Sequence, residues 1–250
     1  MTNRELLLNV VIIRVLLIVL LVLYHSFAIF NGAWEPINSY PPQIDLYWWL
    51  ANLSYACLLE SFVFISGYVF GYQARIKGQD YLSLKNVAKS KLKRLILPSI
   101  VFSLLYIIVF YDIRQPINET LFSLLNGVGH MWFLPMLFWC FMVTPVILKA
   151  KVSLKSIVIV LSQCALFSFV PLPFQISRSM YYLPFFFAGF IIQYRNFNID
   201  FLYTRRICLT TLLSFVVVFP ILLLSRNWIL FLSGETLFHK VMISVWYNLT

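Results

Sequence analysis

From Leu6 to Phe30 the chain is almost unbroken apolar sequence, and similar runs recur near 46–74, 95–111, 131–149, 154–172, 180–194 and 207–225. None alternates strictly as a half-buried strand would, and most approach or exceed the ~18 apolar residues that carry an α-helix across a bilayer. An eighth run opens near Leu237 and meets the last residue, Thr250, after 14 residues, too few to span. The pattern predicts an all-α, polytopic transmembrane helix bundle of seven complete spans and a partial eighth. It forms one integral domain over residues 1–250, expected to be incomplete at its C-terminal end. The sixth run, "YYLPFFFAGFIIQ", is short and holds a proline, so a tilted or kinked helix is expected there. The first run is longer than the ~7–15 residues of a signal-peptide core and no small-x-small cleavage site follows it, so it is read as helix 1.

Composition sharpens the class. Of 250 residues, 61% are apolar or aromatic and 11% charged, and mean hydropathy is +0.86; in soluble domains about a quarter of residues are charged. A net charge of +10 would suit a nucleic-acid binder if it formed a patch. Here the basic residues fall between apolar runs and report topology, so no nucleic-acid partner is expected. Arg4, the basic stretch Arg75, Lys77, Lys85, Lys89, Lys91, Lys93 and Arg94, then Lys149, Lys151 and Lys155, then Arg195, Arg205 and Arg206 all fall on one side. The positive-inside rule makes that side, with the N-terminus, cytoplasmic. The alternate segments hold only Arg114, Arg178 and Arg226. Cys57, Cys140, Cys164 and Cys208 lack the spacing of a zinc or redox site and are read as small buried hydrophobes; no metal is expected.

Two side chains stand out within the first run. Arg14 and His25 are eleven residues apart, which on a helix returns them to within about 20° of one face, about 16 Å apart along the axis. An arginine near the centre of a spanning helix costs on the order of 2.5–3.5 kcal/mol, so such a residue usually faces a polar cavity or a partner. The simpler alternatives are an arginine snorkelling to the headgroups and an interfacial histidine.

An intramembrane Arg followed eleven residues later by His on the first helix resembles the hallmark of the acyltransferase-3 family. These are membrane enzymes that place acetyl or other short acyl groups on surface glycans and lipids. Three further stretches are similar to family segments: "FVFISGYVFG" (62–71), the basic run "KLKRLILP" (91–98), and "GHMWFLPMLFW" (129–139). Together they cover about residues 4–195. Family members usually carry about ten spanning helices, and this chain is shorter.

The resemblance implies an O-acyltransferase of the cytoplasmic (inner) membrane, with acyl-CoA, foremost acetyl-CoA, as co-substrate. A glycan or lipid-linked acceptor and the bilayer are its partners, with glycan-assembly proteins as further candidates. Arg14 and His25 are the expected catalytic pair, with His25 the general base, since an imidazole titrates near cellular pH, and Arg14, Ser66, Lys91, Lys93 and Arg94 are the expected donor-binding residues. The lysines and arginines also serve topology and attract anionic lipid. Gly67 beside Ser66 admits close approach of a ligand or of another helix.

Glu60, in the second run, is a candidate to pair with Arg14 or His25. On the acceptor side, His130, Trp132 and the loop acid Glu35 are candidates, against the plainer reading of an interfacial histidine and aromatic belt. A transporter using intramembrane Arg, Glu and His is the alternative from another class. It lacks the paired Gly/Pro-interrupted segments expected of inverted repeats.

Overall fold

A computed structural model describes residues 3–30, 44–110, 117–150, 153–198 and 204–232, with side chains described over 8–30, 44–109, 120–150, 153–198 and 204–225. Glu35, Arg114, Lys151 and the eighth apolar run lie outside the described residues. All regular structure within them is helical: α1 (Asn3–Phe27), α2 (Asp45–Tyr55), α3 (Leu58–Lys77), α4 (Leu84–Lys91), α5 (Leu97–Phe110), α6 (Ile117–Asn126), α7 (Phe133–Lys149), α8 (Leu154–Phe167), α9 (Ile176–Tyr194) and α10 (Arg205–Leu232). Five continuous apolar stretches among them are long enough to cross a membrane, namely Leu8–Phe27, Asp45–Lys77, Leu84–Val109, Gly129–Lys149 and Arg205–Ser225. The chain is a multi-pass membrane protein. The sequence pattern counts seven complete spans; α8, at 14 residues, is shorter than a full crossing.

Several boundaries differ from the sequence expectation for identifiable reasons. The second run is two helices, α2 and α3, separated by a turn at Ala56 and Cys57. Just before that turn, Asn52 Nδ2 donates to the Trp48 carbonyl (2.8 Å) and Ser54 Oγ to the Leu50 carbonyl (2.7 Å). Such back-bonding competes with the helix ladder and bends it.

The basic stretch between the second and third apolar runs is helical from Leu84 onward. Ser83 caps α4, its hydroxyl accepting from the Asn86 N–H at 3.4 Å, while Val87 is buried and Lys85 and Lys89 face out. The charges mark the polar face of an amphipathic helix. α4 continues into α5 through one wide π-turn, Leu92–Ile96, in which the Leu97 N–H donates to the Leu92 carbonyl. Pro98 accounts for the widening, because it has no N–H and its ring would press on the carbonyl four residues back. Helix α6 has no counterpart in the sequence reading, being too short and polar to register as a span.

The cysteines also depart from expectation. Cys140 is buried, but Cys57 and Cys208 are exposed; in a bilayer an apolar thiol is equally at home against lipid.

The chain divides into two compact units, residues 1–65 with 199–250, and residues 66–198. In the first, α1 and α2 pack together through aromatic pairs. Tyr24 stacks on Tyr55 (4.2 Å between centroids), and Tyr47 meets Phe27 at 5.1 Å and Phe30 at 4.9 Å. Trp49 of α2 touches Phe219 of α10 edge-on.

The second unit is built on the later part of α3 with α7 and α9. Phe70, Phe186 and Phe190 are fully buried there. Phe141 meets Phe70 at 5.0 Å and Phe186 at 4.7 Å, both edge to face, the arrangement aromatic quadrupoles favour. A polar stitch joins α7 to α9, where Ser179 Oγ donates to the Met136 carbonyl at 3.0 Å.

Candidate functional site

The two polar residues of α1 lie on one uninterrupted helix, so their common face is kept. α1 turns Val10, Leu17 and Ala28 into the protein. At about 100° per residue, Arg14 and His25 stand roughly 40–80° around from that ridge. They therefore line the flank of the packed face. Arg14 is exposed among the described residues, whereas His25 is half-buried with its Nδ1 buried. The imidazole sits 5.2 Å from the Tyr24 ring, at the aromatic end of the α1 and α2 pairing.

Glu60 is half-buried in the first turn of α3. The break at 56–57 creates that helix start, where a carboxylate is favoured by the N-terminal dipole. A structural role thus accompanies any pairing role. Ser66 is half-buried on the same helix. Its neighbour Gly67 admits a helix: α9 passes so close that a Cβ at position 67 would stand 1.9 Å from the Phe186 carbonyl oxygen.

Of the three basic donor-site candidates, the structure turns one inward. Lys91, half-buried at the end of α4, holds its Nζ 3.6 Å from the centroid of Phe141 and 5.4 Å from that of Phe70. Lys93 and Arg94 are exposed on the π-turn. The charges of Arg94 and Lys77 both act on Lys91, and no carboxylate is paired with it among the described residues. Cation–π contacts fix the ammonium in place without neutralising it.

Beside this cluster, Lys77 Nζ lies 5.0 Å over the Tyr81 ring, and the Tyr81 hydroxyl donates to Gln73 Oε1. Burial pushes the Tyr81 phenol above its ordinary pKa, with the Arg94 charge pulling the other way. Arg75 donates to Asn196 Oδ1, and Gln79 Nε2 to the Tyr194 hydroxyl at 3.1 Å. These bonds tie the last turn of α3 and the turn after it to the end of α9 and the residues just beyond it. The result is a fixed concentration of positive charge at one end of the unit, suited to a polyanionic ligand.

The opposite end of the same unit gathers His130 and Trp132. They lie on the 3₁₀ turn Gly129–Trp132, which α5 holds through two buried serines. Ser103 Oγ accepts from the Val128 N–H at 3.0 Å, and Ser99 Oγ donates to the Met131 carbonyl at 3.3 Å. Gly127 makes the turn possible, since at φ +80° a Cβ there would meet the Met131 carbonyl at 2.6 Å. His130 is exposed and Trp132 half-buried. Arg178, which the sequence reading noted only as a charge on the base-poor side, lies over Trp132, its Cζ 4.3 Å from the ring centroid. The two are 46 positions apart, and no local spacing announces the contact. The only signal was an arginine placed against the positive-inside trend.

Apolar helices long enough to cross a membrane several times define a multi-pass membrane protein, and one of its packed units gathers basic side chains at one end. The chain belongs to the acyltransferase-3 family, whose sequence model, described as an acyltransferase domain, matches residues 8–249. No curated protein and no solved structure matches it. Family and apolar helices together make this a membrane acyltransferase.

Proposed function

We propose that the protein moves an acetyl or other short acyl group from cytoplasmic acyl-CoA to a hydroxyl of a cell-surface glycan or glycolipid. It would act from the cytoplasmic (inner) membrane, as one integral domain with its N-terminus inside and with α8 and α9 completing seven spans.

The observation that carries the donor half is Lys91. Its ammonium is seated on Phe141 and Phe70, with the charges of Arg94 and Lys77 acting on it. A cation with no paired carboxylate among the described residues gains when a phosphate arrives, and coenzyme A brings several. Lys93 and Arg94 add to the field at its mouth, and Arg14 and Ser66 are assigned to the donor arm on the family resemblance.

His25 is assigned as general base. It takes the proton of the acceptor hydroxyl as that oxygen attacks the thioester carbonyl carbon. The C–S bond then breaks, and the departing CoA thiolate takes up a proton, giving an ester and free CoA. Glu60, His130, Trp132 and Glu35 are assigned to supporting or acceptor-side roles.

The test feeds acetyl-CoA, isotopically labelled in its acetyl group, to membranes containing the protein and glycan acceptor. Label in a base-labile ester on the glycan supports the reading. Solute flux without covalent label contradicts it and favours a transporter.

A further inference from the structure

We infer that α6 and the segment joining α8 to α9 are a lipid-docking surface. Their exposed apolar side chains lie among the phospholipid acyl chains, just beneath the headgroups, in the leaflet at the Gly129–Trp132 end of the second unit. The inference concerns how the chain sits in its membrane and does not depend on the acyl-transfer reading.

α6 is an amphipathic helix turned inside out. Its ten residues are about 15 Å long, half the hydrocarbon thickness of a bilayer, so it is no span. At about 100° per residue, Leu121, Phe122 and Leu125 share one arc of about 100°, and Thr120, Ser123 and Asn126 lie on the opposite side. The three apolar residues are exposed, whereas the three polar ones are half-buried. A helix on a water-facing surface has the reverse arrangement. Leaving a leucine or phenylalanine side chain in water forgoes about 1.5–3 kcal/mol apiece, which an apolar solvent restores.

The segment joining α8 to α9 is built the same way. Phe167, Phe169, Val170 and Leu172 are exposed, while the backbone beneath them is paired within the protein. The N–H groups of Ser168 and Val170 donate to the Ala165 and Phe167 carbonyls, at 3.3 and 3.1 Å. That of Leu172 donates to Ser177 Oγ at 2.7 Å, and that of Phe174 to Asn126 Oδ1, also at 2.7 Å. Pro171 and Pro173 have no N–H to satisfy. Such internal pairing is what irregular backbone requires where water is scarce.

The two pieces form one patch. Phe122 of α6 meets Phe174 at 5.7 Å, and Asn126, the last residue of α6, bonds both Phe174 and Gln175. The patch adjoins the apolar surface of α5, which packs against α6 and exposes Phe102, Leu105, Ile108 and Val109. The other end of the unit is the contrast, since α4 exposes Lys85, Asn86 and Lys89 and buries Val87. One end turns lysines outward; the other turns leucine and phenylalanine outward. An interfacial helix sinks its apolar face about 5–10 Å into the boundary of headgroups and acyl chains. Because α6 ends directly before Gly127, that depth holds the turn carrying His130 and Trp132 at the headgroups.

The test is fluorescence quenching of the full chain in phosphatidylcholine nanodiscs, with the fluorescent amino acid Anap incorporated in place of Leu121 or, separately, of Leu125. Anap at Asn86 of α4 is the aqueous reference, and Anap at Phe102 of α5 the deep hydrocarbon reference. A nitroxide high on the lipid acyl chain should quench both α6 positions about two-fold or more strongly than one near the chain end, and aqueous iodide should quench them about five-fold less than position 86. Iodide quenching equal to that at position 86 would overturn the inference, as for a face left in water or covered by an absent protein. Stronger quenching by the chain-end nitroxide, as expected at Phe102, would overturn it too, by placing α6 in the bilayer core. Probing the two positions separately lets one decide if a replacement at the other blocks insertion. No donor or acceptor is present, so neither outcome touches the acyl-transfer reading.

Discussion

Gly67 of α3 and Phe186 of α9 meet backbone to backbone, leaving a Cβ at position 67 only 1.9 Å from the Phe186 carbonyl oxygen. One turn later, Gly71 repeats the contact with Phe190, at 2.2 Å. The two glycines of "FVFISGYVFG" are therefore a small-xxx-small helix seam, which allows backbones to approach where lipid supplies no hydrophobic drive. The seam brings α9 onto α3 beside Phe70, and Phe70 is one of the two rings that seat Lys91.

Gly67→Ala should force α3 and α9 apart. Overpacking a fitted interface costs about 1–3 kcal/mol, and here the obstacle is backbone, which cannot rotate away. Thermal unfolding in detergent should show a clearly lowered Tm for Gly67→Ala and for Gly71→Ala. An unchanged Tm in both would mean that the helices are not held at this distance.

Lys91→Met keeps the apolar stem on Phe141 and removes the charge. The KM for acetyl-CoA should rise by about ten-fold or more, since charge-assisted bonds to phosphate are among the stronger polar contacts. Stability should hold or increase, because the repulsion from Arg94 and Lys77 disappears and a half-buried charge is replaced by an apolar group. An unchanged donor KM would take Lys91 out of the donor site.

Arg14→Ala should lower kcat/KM for acyl-CoA by about ten-fold or more. Steady-state kinetics on normally inserted protein decide it. If neither KM nor kcat moves, Arg14 is a snorkelling residue of α1 and nothing more.

Asn126→Ala should loosen the turn before α9. The Phe174 N–H loses its 2.7 Å acceptor, and leaving a part-buried donor unsatisfied costs about 1–3 kcal/mol. Hydrogen exchange at the Phe174 amide should accelerate well beyond that of the α7 core. Equal protection in the variant would show that Asn126 does not hold this turn.

The long apolar runs behind α1, α7 and α10 were legible because a spanning helix is announced by length and hydropathy alone. The first-helix pair Arg14 and His25 was legible because helical periodicity fixes their common face. What escaped depended on contacts or on weaker local signals. The break between α2 and α3 contains neither Gly nor Pro and arises from side chains bonding their own backbone. The basic stretch 84–91 looked like a loop because its charges outweigh one buried Val87, although Ser83 was available as a cap. Lys91 could not be told from Lys93 by sequence; only the π-turn and the position of Phe141 decide which one faces inward. Arg178 could not be joined to Trp132, since tertiary packing alone brings α9 to the Gly129–Trp132 turn.

Acyl transfer dependent on His25 is most directly tested by mass analysis of surface glycans from cells carrying wild-type protein or His25→Ala at equal membrane abundance. The glycan should carry the ester-linked acyl group with the wild type and lose it with His25→Ala. Equal acylation in the two strains would contradict His25 as the general base and with it the mechanism proposed for this membrane acyltransferase.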